Sequence, residues 1–174
     1  MNFREALARE HSKTLSQKIA KNIGDDPEKF AELVKILLGK ETELAQRAAW
    51  AFNFTALEKP YLLAPHLAAL IQKLESPGSH PAVYRNIYRV FQDYRFPEKY
   101  HAVLFDLSMR ALRGETQPVA IRAFAMSLAA NVARTYPELR YELQLCLNDM
   151  LAYPQPPAII ARAKKVRKVL KSTL

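Results

Sequence analysis

Four prolines set the frame of this chain. Pro27, Pro60, Pro97 and Pro137 recur at spacings of 33, 37 and 40 residues, and each opens a stretch that reads as a helix. A proline in the first helical turn costs no hydrogen bond, and its fixed φ is already helical. Apolar residues then follow at a 3.6-residue period: Phe30, Leu33, Leu37; Leu63, Leu67, Leu70, Leu74; Tyr100, Leu104, Leu107; Leu139, Leu143, Leu147. Asp26 stands where the first of these helices needs an N-cap. Each helix ends in a turn signal. Gly39 and Gly114 are expected as left-handed C-caps, Ser76-Pro77-Gly78-Ser79 as a loop, and Pro154-Gln155-Pro156-Pro157 as an extended connector. A second helix follows each turn, starting near Glu41, Pro81, Gln117 and Pro157. Gly24 closes one further helix, expected over roughly residues 3 to 22.

The second helices align on an independent marker. Arg47, Arg85, Arg122 and Arg162 recur at spacings of 38, 37 and 40. Two markers with one period identify an array of helical hairpins, each burying its apolar face on its neighbours.

The stretch Leu62-Leu63-Ala64-Pro65-His66-Leu67 through Val83-Tyr84-Arg85-Asn86-Ile87 resembles HEAT repeats, with a proline within the first helix and an arginine early in the second. The resemblance covers about residues 25 to 171. It implies an all-α, right-handed α-α superhelix in one domain, residues 1–174: an N-terminal helix in 1–24 and helix pairs in 25–58, 59–95, 96–135 and 136–174. In that family an acid in the intra-repeat turn pairs with the arginine ladder. Here the turns offer Glu41 or Glu43 and Glu115, with no acid before Arg85 or Arg162, so these two arginines are expected to be open to partners. The expected core comprises Phe30, Leu33, Leu37, Ala48, Leu67, Leu70, Ile87, Leu104, Leu107, Phe124, Leu143, Leu147 and Val166.

Enzymatic signatures are missing. All four glycines punctuate helices, leaving none for a phosphate-cradling loop. His11, His66, His80 and His101 lack metal-ligand spacing, and Cys146 is the single cysteine. No catalytic residue, cofactor or metal is therefore expected. The amino terminus, Met1-Asn2-Phe3-Arg4-Glu5, is not that of a signal peptide, and no apolar run matches a membrane span, so the expected location is cytoplasmic.

The formal charge of +9 is unevenly placed. Residues 150–174 hold six Lys/Arg and no acid, so two-thirds of the excess lies in the last helix. There Ile159, Ala163, Val166 and Leu170 share one face and the cations the rest. The helix reads either as a cap with a solvated outer face or as a polyanion site, for nucleic acid, an acidic protein or a lipid surface.

The candidate binding surface is drawn from the second helices: Arg47, Trp50, Arg85, Tyr88, Arg89, Arg122, Arg134, Arg162 and Lys165. The arginines suit either neighbouring turns or a ligand's carboxylates and phosphates. Trp50, with Phe54 on the same stripe and Tyr88 at the equivalent place in the next repeat, suits either packing or base stacking. Two functions follow. The first is a non-catalytic scaffold, monomeric or weakly dimeric, holding a protein partner on the concave face of the second helices. The alternative is nucleic-acid binding, on a distant resemblance to HEAT-like DNA glycosylases for alkylated bases; it would use Trp50, Tyr88, Arg85 and Arg89, with Asp93 as the carboxylate.

Overall fold

The computed structural model describes residues 1–114 and 116–171, and every structured element among them is helical. Helices α1 (Phe3–Arg9), α2 (Lys13–Ile23), α3 (Pro27–Leu38), α4 (Thr42–Glu58), α5 (Leu67–Glu75), α6 (Pro81–Phe91), α7 (His101–Arg113), α8 (Val119–Ala133), α9 (Pro137–Leu151) and α10 (Pro157–Lys171) follow in order. The pairs α3–α4, α5–α6, α7–α8 and α9–α10 fall in the four segments that the proline period marks out. No helix among the described residues is long and apolar enough to cross a membrane. The chain divides into two compact units, Met1–Val90 and the residues from Phe91 onward.

The first unit opens differently from expectation. The single helix over residues 3 to 22 is two helices. Ser12 accepts a hydrogen bond from the Leu15 amide at 3.0 Å, which starts α2 afresh, while Glu10 leaves α1 in an extended conformation. A side-chain cap of this kind competes directly with continuing the helix. Both short helices pack on α4, and α4 on α3. Asp26 caps α3 as expected, accepting from the amides of Glu28 at 3.0 Å and Lys29 at 3.2 Å. The first helix of the next pair does not begin as an α-helix at Pro60. Residues Pro60–His66 form a 3₁₀ segment containing Pro65, and α5 starts only at Leu67. Pro65 has no N–H to donate to an earlier carbonyl, so the tighter helix replaces the α ladder there. The turn from α5 to α6 is closed by Tyr84, whose hydroxyl donates to the Ser76 carbonyl at 2.6 Å and accepts from the Ser79 amide.

In the second unit α8 is the central element, packed against α7, α9 and α10. Its ten buried residues explain its weak amphipathicity: Ile121, Ala125, Met126, Leu128 and Ala129 face neighbours on several sides. Pro97 lies just outside its helix, followed by a 3₁₀ turn Glu98–Tyr100 that leads into α7. Ile159, Ala163, Val166 and Leu170 of α10 are buried, and α10 packs on α8 and α9.

Among the expected core residues all but one are buried. Phe124 is half-buried, with the Arg162 guanidinium lying 5.7 Å from its ring centre. Two glycines also depart from expectation. Gly39 (φ −63°) and Gly114 (φ −71°) are not left-handed; each leaves its helix with ordinary negative φ. The left-handed terminator is Gly24, at φ +54°.

Candidate functional site

The repeating arginines are mostly bound within the chain. Arg47 donates to the carbonyls of Leu7 and Ala8, both at 2.8 Å, and pairs with Glu43. It thereby neutralises the C-terminal end of α1, where the last carbonyls have no helical partners. Arg122, only 8% exposed, donates from Nε to the Leu112 carbonyl at 3.2 Å and from Nη2 to Gln155 Oε1 at 3.1 Å. It ties the end of α7 to the connector before α10. Arg162, expected to be open to partners, instead donates to Gln92 Oε1 at 2.9 Å and Ser127 Oγ at 2.6 Å. With no acid in its turn, neutral side-chain oxygens take its hydrogen bonds. Glu115, the turn acid expected before Arg122, lies outside the described residues.

Other candidates divide similarly. Trp50 is half-buried between His11, edge-on at 6.0 Å, and Phe54, stacked at 6.3 Å. Tyr88 is 4% exposed and so presents no open ring face, contrary to a stacking role. Arg85 and Arg89, one turn apart on α6, are exposed, and their side chains make no hydrogen bond or ion pair among the described residues.

The remaining candidates, Arg134 and Lys165, belong to a groove in the second unit. Its floor is the segment Phe91-Gln92-Asp93-Tyr94-Arg95-Phe96. Phe96 packs edge-on against Phe91 at 4.8 Å and Tyr94 against Phe96 at 4.9 Å, which anchors the segment on its aromatic side. Asp93 and Arg95, the alternate residues, are exposed. Three helices hold the segment in place. From α7, His101 meets the Phe96 carbonyl through Nε2 at 3.1 Å, so that nitrogen is the donor; its Nδ1 is 3.0 Å from the Tyr136 hydroxyl. Partial desolvation, with the Glu98 carboxylate nearby, pushes the Tyr136 phenol above its ordinary value. From α8, Asn131 donates to the Gln92 carbonyl, and from α10 Arg162 binds the Gln92 side chain.

Two cavities lie along this segment and share Asp93 and Asn131. One, of about 540 Å³, is lined by Arg95, Phe96, His101, Arg134 and Thr135 among others. The second, of about 240 Å³, is lined by Gln92, Ser127, Arg162 and Lys165. Arg95, Arg134 and Lys165 are exposed, and their side chains make no hydrogen bond or ion pair among the described residues. The groove therefore joins a fixed hydrogen-bonded floor to three open cations. Sequence reading had picked out Arg134, Arg162 and Lys165 but missed Tyr94, Arg95, Phe96 and Asn131. The alternation of aromatic and charged residues over 93–96 is the signal that could have found the segment.

Successive helical pairs, with arginines of the second helices bound to the chain's own oxygens, define an α-helical repeat protein. The sequence matches the family described as HEAT repeat domain over residues 3–171, and the chain belongs to that family. Comparison with curated proteins and with solved structures gave no match. HEAT repeats generally serve as protein-interaction scaffolds.

Proposed function

We propose that this chain is a non-catalytic scaffold that holds a protein partner in the groove along its second helices, α8 and α10, and the Gln92–Phe96 segment. One observation carries the reading: Arg95, Arg134 and Lys165 are open to solvent beside a floor fixed by hydrogen bonds at the Gln92 carbonyl, the Gln92 side chain and the Phe96 carbonyl. Rigid presentation of unsatisfied groups lowers the ordering cost of binding. The nucleic-acid reading has less support. Arg47, Arg122 and Arg162 hold oxygens of their own chain, and Tyr88 is buried.

The test is affinity capture from a lysate of the source cells, comparing wild type with an Arg95→Glu/Arg134→Glu/Lys165→Glu variant. Circular dichroism melts establish that both are equally folded. A protein retained by wild type and lost by the variant supports the scaffold. An unchanged set of captured proteins, or capture that disappears on nuclease treatment, contradicts it.

A further inference from the structure

Resting on the scaffold reading, we infer that the occupant of this groove is an acidic, extended protein segment, whose carboxylates are taken by Arg95, Arg134 and Lys165. Charge complementarity is the first argument. The two cavities are lined by four cations, Arg95, Arg134, Arg162 and Lys165, against one carboxylate, Asp93. Arg162 is engaged by Gln92 and Ser127, so the other three supply the open charge. The planar guanidinium forks of Arg95 and Arg134 match a carboxylate through paired N–H donors.

The second argument separates a protein segment from other polyanions. Asp93 is exposed and lines both cavities, so it stands at their junction. A continuous phosphate backbone laid along the groove would meet that negative charge. A peptide offers main-chain N–H donors there and can place its acids on either side. The neutral lining suits a peptide too. Asn131 spends its amide N–H on the Gln92 carbonyl and keeps its own oxygen as an acceptor. Ser127 accepts from Arg162 and keeps its O–H as a donor. Tyr94 and Phe96 do not form an open platform for bases, since they pack edge-on against one another and, for Phe96, against Phe91. Stacking on a free ring face is what single strands require.

The experiment is fluorescence anisotropy with the full chain and three labelled probes: a peptide of alternating Glu and Ser, its Gln–Ser counterpart, and an oligothymidylate of equal length. Salt is held near the physiological value, because screening weakens exposed pairs. An exposed ion pair changes affinity by about two- to fivefold. The Glu–Ser peptide should therefore bind about tenfold or more tightly than the Gln–Ser peptide. Arg95→Gln/Arg134→Gln should weaken it by about tenfold, on the same scale. Lys164→Gln/Lys171→Gln removes equal charge from exposed α10 positions outside both cavities, and should change affinity by less than about twofold. Equal binding of the two peptides overturns the inference. So does an equal loss from the Lys164/Lys171 pair, which would mean diffuse attraction to a basic chain. Tighter binding of the oligothymidylate, lost with Arg95 and Arg134, would assign the groove to nucleic acid instead. A captured protein partner that depends on the groove, together with no preference for Glu–Ser, would leave the scaffold standing and refute the acidic occupant. Acidic binding at the groove without any captured protein would do the reverse.

Discussion

Replacing Arg122 by Met should lower stability without touching the groove. The side chain is 8% exposed, and its aliphatic part is matched by methionine. What the substitution removes is the hydrogen bond to the Leu112 carbonyl, which is buried, and the one to Gln155, which is only partly so. Hydrogen bonds from a charged donor are worth about 1.5–3 kcal/mol, and a buried acceptor left unpaired costs about 1–3 kcal/mol. Gln155 also donates to the Met150 carbonyl, and its oxygen can turn to water, so its share is the smaller. The two energies measure the same loss at the Leu112 carbonyl and do not add, so the expected cost, with a small share from Gln155, is about 2–3 kcal/mol. For a chain of this length that is a fall of about 5–10 °C in melting temperature. Thermal melts followed by far-ultraviolet circular dichroism read it directly. Gln155→Ala alone should cost less, and the double variant should fall short of the sum of the two because the residues share a bond. A shift of Arg122→Met below about 1 °C, coupled with weakened binding of the Glu–Ser peptide, would refute the reasoning and return Arg122 to the binding surface.

Other perturbations probe the packing, the termini and the pH response. Leu143→Ala, at a fully buried site in α9, should cost about 2–5 kcal/mol, whereas Leu145→Ala, 45% exposed two residues on, should stay within about 0.5 kcal/mol; urea titrations of the two separate them. Gly24→Ala forces a side chain into φ +54°, ψ −120° and should destabilise by about 1–3 kcal/mol, measured in the same titration. Asp26 is held below its ordinary value of 3.8, chiefly by the Lys29 amide that it caps. Since the folded value is the lower one, its contribution is present above pH 3.8 and is lost as pH falls through the folded value. Asp26→Asn keeps the cap but not the titration, so the stability difference between wild type and this variant should narrow in acid; a difference that is flat with pH would contradict the assignment.

The helical pairs were legible because the signals that define them are local. A proline in a first turn, an arginine at a fixed offset and a 3.6-residue apolar period each act within one helix, and α3, α4, α6, α9 and α10 begin where those signals put them. Boundaries decided by competition were harder to read. Ser12 divides the amino-terminal helix because one side-chain cap outweighs three residues of continued helix, a balance that composition does not reveal. Gly39 and Gly114 look like left-handed terminators in sequence but leave their helices with negative φ, whereas Gly24 alone of the three takes the positive φ. The groove was half legible. Arg134 and Lys165 stood out by type and place, but whether an arginine is open or engaged depends on carbonyls and amides contributed by remote residues. Arg162 illustrates this: its acceptors Gln92 and Ser127 lie 70 and 35 positions away. The alternation over Asp93–Phe96 is only four residues long, too short to mark an element, so the segment's role emerges only when α7, α8 and α10 close around it.

The most direct test of the groove is amide hydrogen exchange on the full chain, with and without saturating Glu–Ser peptide. The account predicts slower exchange over residues 92–96 and the C-terminal half of α8, with no change in α4 around Arg47 and Trp50. Protection centred on α4 or α6, or none that can be localised, would contradict it.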